Sequence, residues 1–221
     1  KRVLVTGGAG FIGSTFVRHL LAATPYEVVS LDALTYAGNL ENLADVMAHE
    51  RLSFVHGDIR DGDLVREIVA GVDVIVNAAA ESHVEKSIAD GASEFVTTNV
   101  EGTQILLDAI REQPVERFIL ISSSEVYGTA ESDPMDEEHP LNPRSPYAAT
   151  KAGGDRLVYS YVATYDLPAL IIPGDDSSHA TSGAHYLREL LPKADFWNVM
   201  PPEQTTQKVC NRLLEFCREH P

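Results

Sequence analysis

The chain has 221 residues, enough for one well-packed domain with at most a small appendage, and its 44% hydrophobic and 23% charged residues are ordinary for a globular protein. Its formal net charge is -16, from 33 acidic and 17 basic residues, so nucleic acid or an anionic membrane would meet repulsion over most of the surface and neither is expected as a partner. A nucleotide ligand is not excluded, because backbone N–H groups can act locally against an unfavourable global field.

In chain order the pattern alternates strand and helix. Arg2–Thr6 reads as a first β-strand, and residues 11–21 as a helix with Ile12, Phe16, Val17 and Leu20 near one face. Residues 27–31 are a second strand, residues 40–48 a helix and Leu52–His56 a third strand. A helix over 64–70 leads to a fourth strand at 73–76, and a long helix over 91–112 to a fifth at Arg117–Ile121. Pro146–Tyr165 is a second long helix and residues 168–172 a sixth strand. The tail predicts a helix at 182–191, a strand at 195–199 and a last amphipathic helix at 203–218. Strands separated by crossover helices imply a parallel sheet, and their Val/Ile/Leu content fits a sheet covered on both faces. The expected fold is α/β: a Rossmann-like, doubly wound, three-layer sheet of about seven strands in the order 3-2-1-4-5-6-7. Residues 129–144 are polar and Pro-rich and are expected to be an exposed loop.

The strongest signal is Gly7-Gly8-Ala9-Gly10-Phe11-Ile12-Gly13, between the first strand and the first helix. Gly8, Gly10 and Gly13 satisfy G-x-G-x-x-G, and Gly7, Gly10 and Gly13 satisfy G-x-x-G-x-x-G. Glycine lets the backbone turn tightly and approach a pyrophosphate, and the helix N-terminus then offers free N–H groups and partial positive charge. Phe11 and Ile12 fall inside this turn. Asp32 ends the second strand at the spacing where an acid takes the adenosine ribose and repels a 2′-phosphate, so NAD is expected over NADP. Asp58, after the third strand and followed by Ile59, is either a contact to the adenine edge or a turn or N-cap aspartate.

Tyr147 and Lys151 stand at i and i+4, on one face of the helix after the fifth strand. An ammonium near a phenol favours the phenolate, so the phenol is expected to be lowered and able to take a proton from a sugar hydroxyl while a hydride leaves for NAD. Ser122, Ser123, Ser124 and Glu125 lie at the C-terminal end of the fifth strand, where open α/β sheets bind ligands. Ser123 is read as the residue that orients the substrate hydroxyl, against the alternative of plain turn chemistry.

TGGAGFIG, Asp32, NAAAESHVEKSI, SSSEVYG and YAATK together resemble the extended short-chain dehydrogenase/reductases, with the dTDP-glucose type of nucleotide-sugar 4,6-dehydratase as nearest kin, over residues 1–172. The resemblance implies tightly held NAD, hydride abstraction from the sugar C4 and a transient 4-keto sugar. It gives Tyr147 the role of base, Lys151 that of its partner and Ser123 that of hydroxyl orienter. It places Ala78, Ala79, Ala80, Asn99 and Ser122 against the cofactor, and Glu81, Ser82 and His83 near a nucleotide sugar. It also implies a homodimer through the helices at 91–112 and 146–165. One departure concerns the reaction: the dehydratases carry Thr-Asp-Glu before Val-Tyr-Gly, whereas this chain has Ser123-Ser124-Glu125. Ser124 is no comparable acid, and a Ser-Glu pair resembles the decarboxylases, so the step after oxidation stays open among dehydratase, epimerase and decarboxylase.

After residue 172 the resemblance changes. The segment Pro173-Gly174-Asp175-Asp176-Ser177-Ser178-His179 and the residues beyond it resemble the end of an α/β-hydrolase, with Asp176 in the place of the triad acid. No G-x-S-x-G elbow accompanies it. A chimera is the expectation, with the family's substrate domain replaced by a hydrolase-like completion of one domain, and an inactive NAD-binding scaffold as the alternative function. Asp175, Asp176, His179 and His185 are read as caps and surface groups rather than a metal site. Cys210 and Cys217 lie two helical turns apart, about 10 Å, too far for a disulfide. No apolar run is long enough to span a bilayer and the chain opens on a strand, so no signal peptide and a cytoplasmic location are expected.

Overall fold

The structure is a computed structural model, and it describes residues 1–129 and 139–172. Six parallel strands form one sheet in the order β3-β2-β1-β4-β5-β6. They are β1 (Arg2–Thr6), β2 (Glu27–Asp32), β3 (Leu52–His56), β4 (Val74–Asn77), β5 (Arg117–Ile121) and β6 (Ala169–Ile172). The order reverses direction at β1, which pairs with β2 on one side and β4 on the other, Val5 facing Ser30 and Val76 respectively. That reversal opens the crevice in which this architecture places ligands. The expected seventh strand and the tail helices lie outside the described residues.

Alternate residues of each strand feed two separate cores, because successive side chains point to opposite faces. Val3, Val5, Val28, Val74 and Val76 pack with Phe16, Val17, Leu20 and Leu21 of α1 (Phe11–Ala23). Leu4, Val29, Leu31, Ile75, Phe118 and Leu120 pack with α2 (Gly62–Val69) and with the two long helices of the opposite layer. Each such Val, Leu or Phe contributes about 1.5–3 kcal/mol when fully buried. The doubly wound expectation is met: parallel strands read as near-continuous apolar runs because both of their faces are covered.

Three helical segments differ from the expectation. The helix expected at 40–48 is a 3-10 turn, Leu40–Leu43, held by two asparagines: Asn39 accepts from the Glu41 N–H, and Asn42 ties the turn to the glycine loop by donating to the Ala9 carbonyl. A short helix not anticipated, α3 (Val84–Ala89), follows β4; its cap is His83, whose ring nitrogen accepts from the Lys86 N–H at 3.3 Å. The helix expected at 91–112 starts at α4 (Ser93–Phe95), runs through a π-helical stretch at Val96–Glu101 and only then becomes α5 (Gly102–Glu112). By contrast α6 (Pro146–Tyr165) has the expected bounds: Ser145 accepts from the Ala148 N–H, proline opens the first turn, and Asp166 ends the helix at φ 58°. Arg51 fastens the C-terminal end of α1 to β2 by donating to the carbonyls of Leu21, Thr24 and Tyr26 at 2.6, 2.6 and 2.9 Å. Among the described residues no helix is long and apolar enough to cross a membrane.

Candidate functional site

A cavity of about 380 Å³ lies over the C-terminal ends of β1, β2, β4 and β5, and it draws one wall from each segment singled out by the sequence. The first wall is the glycine turn, with Gly7, Gly10, Phe11, Ile12 and Gly13. Gly7 has φ +66°, and a Cβ there would sit 2.7 Å from the Ala79 nitrogen. At Gly13 a Cβ would sit 2.1 Å from the Gly7 carbonyl oxygen. Glycine is therefore needed twice, once for the left-handed turn and once for the close seating of the helix. Gly10 caps α1 with no side-chain hydrogen bond, and the first turn holds no acid. Its N–H groups and partial positive charge are thus left to whatever occupies the cavity. Phe11 and Ile12 are 87% and 58% exposed, an apolar surface for a ligand to cover.

Asp32 supports the second wall. One carboxylate oxygen accepts from the Ala9 N–H and the other from the Leu34 N–H, each at 2.8 Å. The acid thus ties the glycine turn to the loop that follows β2, while lining the cavity. That loop, with Ala33, Thr35, Ala37 and Gly38, was not anticipated as a wall. The signal for it was a glycine six residues after Asp32: a Cβ at Gly38 would come within 2.4 Å of the Asp32 carboxylate. Asp58 and Ile59 form the third wall together with Arg60, also missed. Asp58 has the turn role of its second reading and a place on the cavity wall. It lines the cavity and also organises a turn, accepting from the Arg60 backbone N–H at 2.9 Å and from its guanidinium. Burial pushes the Asp58 carboxyl up, but the Arg60 hydrogen bonds and charge prevail and hold it below its usual range. The α2 N-cap is Asp61 instead.

Ala78, Ala79 and Ala80 make the fourth wall with Glu81 and Ser82. His83 does not join them; it is spent as the α3 cap. Asn99 is a correction. The expectation put it against the cofactor, but its amide is consumed behind the wall, accepting from the Glu81 N–H at 2.9 Å and donating to the Glu81 carbonyl and the Thr150 hydroxyl at 3.0 Å each. The π-helical stretch turns Thr98 to the cavity in its place.

Ser122, Tyr147 and Lys151 close the far end. Lys151 is 6% exposed and donates to the Ile121 carbonyl at 2.6 Å. Ser123, Ser124 and Glu125 do not line the cavity. Ser123 instead hydrogen-bonds the Tyr147 phenol and caps the 3-10 turn Ser124–Tyr127, the turn chemistry of its second reading. The expected lowering of the phenol is not what the structure shows. Burial pushes Tyr147 above its usual range, the Ser123 hydrogen bond works against the rise, and the charges of Glu125, Tyr36 and Asp155 add to it. Burial pulls Lys151 below the usual lysine range, with Asp155 opposing. The lysine is bonded to a carbonyl and is not among the groups that shift the phenol.

A cradle of uncapped N–H groups and a buried tyrosine–lysine pair on the walls of one cavity define a dinucleotide-binding domain of the short-chain dehydrogenase/reductase kind. More narrowly, the chain belongs to the GDP-mannose 4,6 dehydratase family, whose model matches residues 4–188. The low-salt glycan biosynthesis protein Agl12 of Haloferax volcanii is 59% identical over 169 residues, 76% of this chain and 54% of that protein. A dTDP-glucose 4,6-dehydratase of Streptomyces niveus is 49% identical over 77% of this chain and 52% of its own length. Among solved structures, the dTDP-glucose 4,6-dehydratase DesIV of Streptomyces venezuelae, with NAD and TYD bound, superposes with a TM-score of 0.75 at 54% identity, over 78% of this chain and 55% of that one. A UDP-glucuronic acid 4-epimerase of Bacillus cereus, in complex with UDP-glucuronic acid and NAD, gives a TM-score of 0.73 at 32% identity, over 77% of this chain and 55% of that one. The chain therefore spans about half the length of the relatives it matches.

Proposed function

We propose that this chain binds NAD in the cavity and acts on a nucleotide sugar by transient oxidation at C4. The observation that carries the reading is that the uncapped α1 N-terminus, Asp32 and the Tyr147–Lys151 pair all stand on the walls of one cavity. The residues fit the cofactor. The N–H groups of the first turn of α1 would take the pyrophosphate, Asp32 the adenosine ribose, and the backbone of Ala78, Ala79 and Ala80 the wall between. NAD, when bound, supplies the hydride acceptor. Tyr147, as phenolate, accepts the proton of the C4 hydroxyl as the C4–H bond breaks, and Ser123 holds the phenol by its hydrogen bond. The similar solved structures include a dehydratase with NAD and TYD and an epimerase with NAD and UDP-glucuronic acid, which supports nucleotide sugar as the substrate class. Pairing of two chains through α5 and α6 belongs to the same reading, and light scattering on the purified protein tests it.

Calorimetric titration of the purified chain with NAD+ is the direct test. Micromolar or tighter binding, lost on substituting Gly10 by a bulky residue, is expected. No heat with NAD+ in folded protein overturns the reading. With NAD+ bound, adding dTDP-glucose or UDP-sugars and following NADH absorbance and 4-keto product then identifies the sugar.

A further inference from the structure

One buried charge at this site has no part in the reaction so far. Asp155 lies on α6 one turn beyond Lys151, which itself lies one turn beyond Tyr147, so the three share one face of the helix. Asp155 is 7% exposed. One carboxylate oxygen accepts from the Ser122 hydroxyl at 2.7 Å, and the other is buried with no hydrogen-bond partner. Ser122 directly follows Ile121, whose carbonyl takes the Lys151 ammonium, and both residues line the cavity. The end of β5 is thus clamped twice from one helix, by the lysine through a carbonyl and by the aspartate through a hydroxyl.

A buried carboxylate with a spare oxygen is unfavourable unless an opposite charge stands near it. Among the described residues the charges around it are few. The charges that act on it are those of Lys151 and Arg156, both on the same helix; Glu125 and Tyr36 join it in acting on the Tyr147 phenol, and Glu81 lines the cavity. Among them only Asp155 acts as a counter-charge on Lys151, against burial, which favours the neutral amine. We propose that Asp155 is a positioning residue that keeps the Lys151 ammonium charged and seated at the Ile121 carbonyl, through its own charge and through Ser122. The idea rests on the cavity being the NAD site, since that is where a charged lysine beside Tyr147 matters. Burial pushes the Asp155 carboxyl up to about 6, with the Ser122 hydrogen bond and then the charges of Lys151 and Arg156 restraining the rise.

The test is NMR on protein carrying lysine labelled with 13C at Cε, with the Lys151 signal assigned by its loss in Lys151→Arg. In the wild type, a step in the Lys151 signal as pH crosses the Asp155 titration supports the coupling; a flat Lys151 signal across that range overturns it, whether or not any variant folds. In Asp155→Asn the hydroxyl partner is kept and the charge is lost. The Lys151 proton affinity should fall about tenfold or more, one pH unit in midpoint, and Asp155→Glu should restore it. An unchanged Lys151 midpoint in folded Asp155→Asn overturns the proposal. NAD+ titration of the same samples separates the two ideas. Wild-type protein that binds no NAD+ removes the functional reading, whereas NAD+ binding with an uncoupled lysine removes only the role of Asp155.

Discussion

Replacing Gly7 by alanine isolates what the glycine turn does. Two penalties act there at once. The backbone at φ +66° lies in the left-handed region, which costs an alanine about 1–2 kcal/mol. The new methyl would also stand 2.7–2.8 Å from the backbone of Ala78 and Ala79, atoms that cannot swing aside as a side-chain tip can. Forcing a carbon into packed surroundings costs about 1–3 kcal/mol more. The sum, about 2–5 kcal/mol, is a large share of the roughly 5–15 kcal/mol that holds a domain folded. Gly91 is the built-in control, because its φ is +92° yet a Cβ there meets nothing within 4 Å. Gly91→Ala should show only the conformational penalty. Urea unfolding of both variants against the wild type measures the difference, and NAD+ titration of whatever stays folded should show a loss for Gly7→Ala alone. Equal destabilisation of the two variants would refute the claim that the β1 and β4 loops are in contact through the missing side chain.

Other consequences come from the same geometry. Asp32→Ala orphans the Ala9 and Leu34 N–H groups and should cost about 2–3 kcal/mol in urea unfolding, together with a loss of preference for NAD+ over NADP+ in paired titrations. Arg51→Met removes three carbonyl contacts at the end of α1 and should cost about 2–3 kcal/mol without changing NAD+ affinity. Because the folded state raises the Asp155 carboxyl from 3.8 to about 6, its contribution favours folding below pH 3.8 and is lost as pH rises through 6; wild-type stability relative to Asp155→Asn should fall over that window by up to about 3 kcal/mol in urea unfolding at stepped pH. NAD+ should lower the Tyr147 midpoint by about one unit or more, since its nicotinamide is cationic, whereas neutral NADH should not; tyrosinate absorbance in a pH titration reads both, and equal effects would count against the phenol lying beside the ring.

The strand order and the glycine turn were legible because each comes from a local rule. Apolar runs spaced by helices dictate parallel pairing, and Gly7, Gly10 and Gly13 announce backbone that must come close to something. Asp32 was legible by its distance along the chain, though its grip on two backbone N–H groups was not. What escaped was set by long-range contacts. The helical pattern at 91–112 carried no mark of the π-helical stretch, so Asn99 was placed one residue out of role, facing the cofactor where Thr98 does. Asn39 and Asn42 held a 3-10 turn where periodicity alone favoured a helix. The phenol was expected low because Tyr147 and Lys151 are four apart; the structure spends the lysine on the Ile121 carbonyl, 30 residues away in sequence. The hydrolase-like resemblance after residue 172 falls outside the described residues, while the family match itself runs on to 188.

The charge of the molecule shows why the glycines matter beyond packing. A chain of net charge -16 is a poor host for an anionic pyrophosphate. The cavity does not correct this with cations. Among its described walls stand three carboxylates, Asp32, Asp58 and Glu81, against Arg60 and Lys151. Arg60 is already held by Asp58, and Lys151 by the Ile121 carbonyl at the far end. Attraction for phosphate must then come from dipoles, and the uncapped first turn of α1 is the place where they are left unspent. Dipoles fixed in a helix act over a few ångströms and only on a group brought up against them, so the close approach permitted by Gly7, Gly10 and Gly13 is what makes an acidic protein able to hold a negatively charged ligand at all.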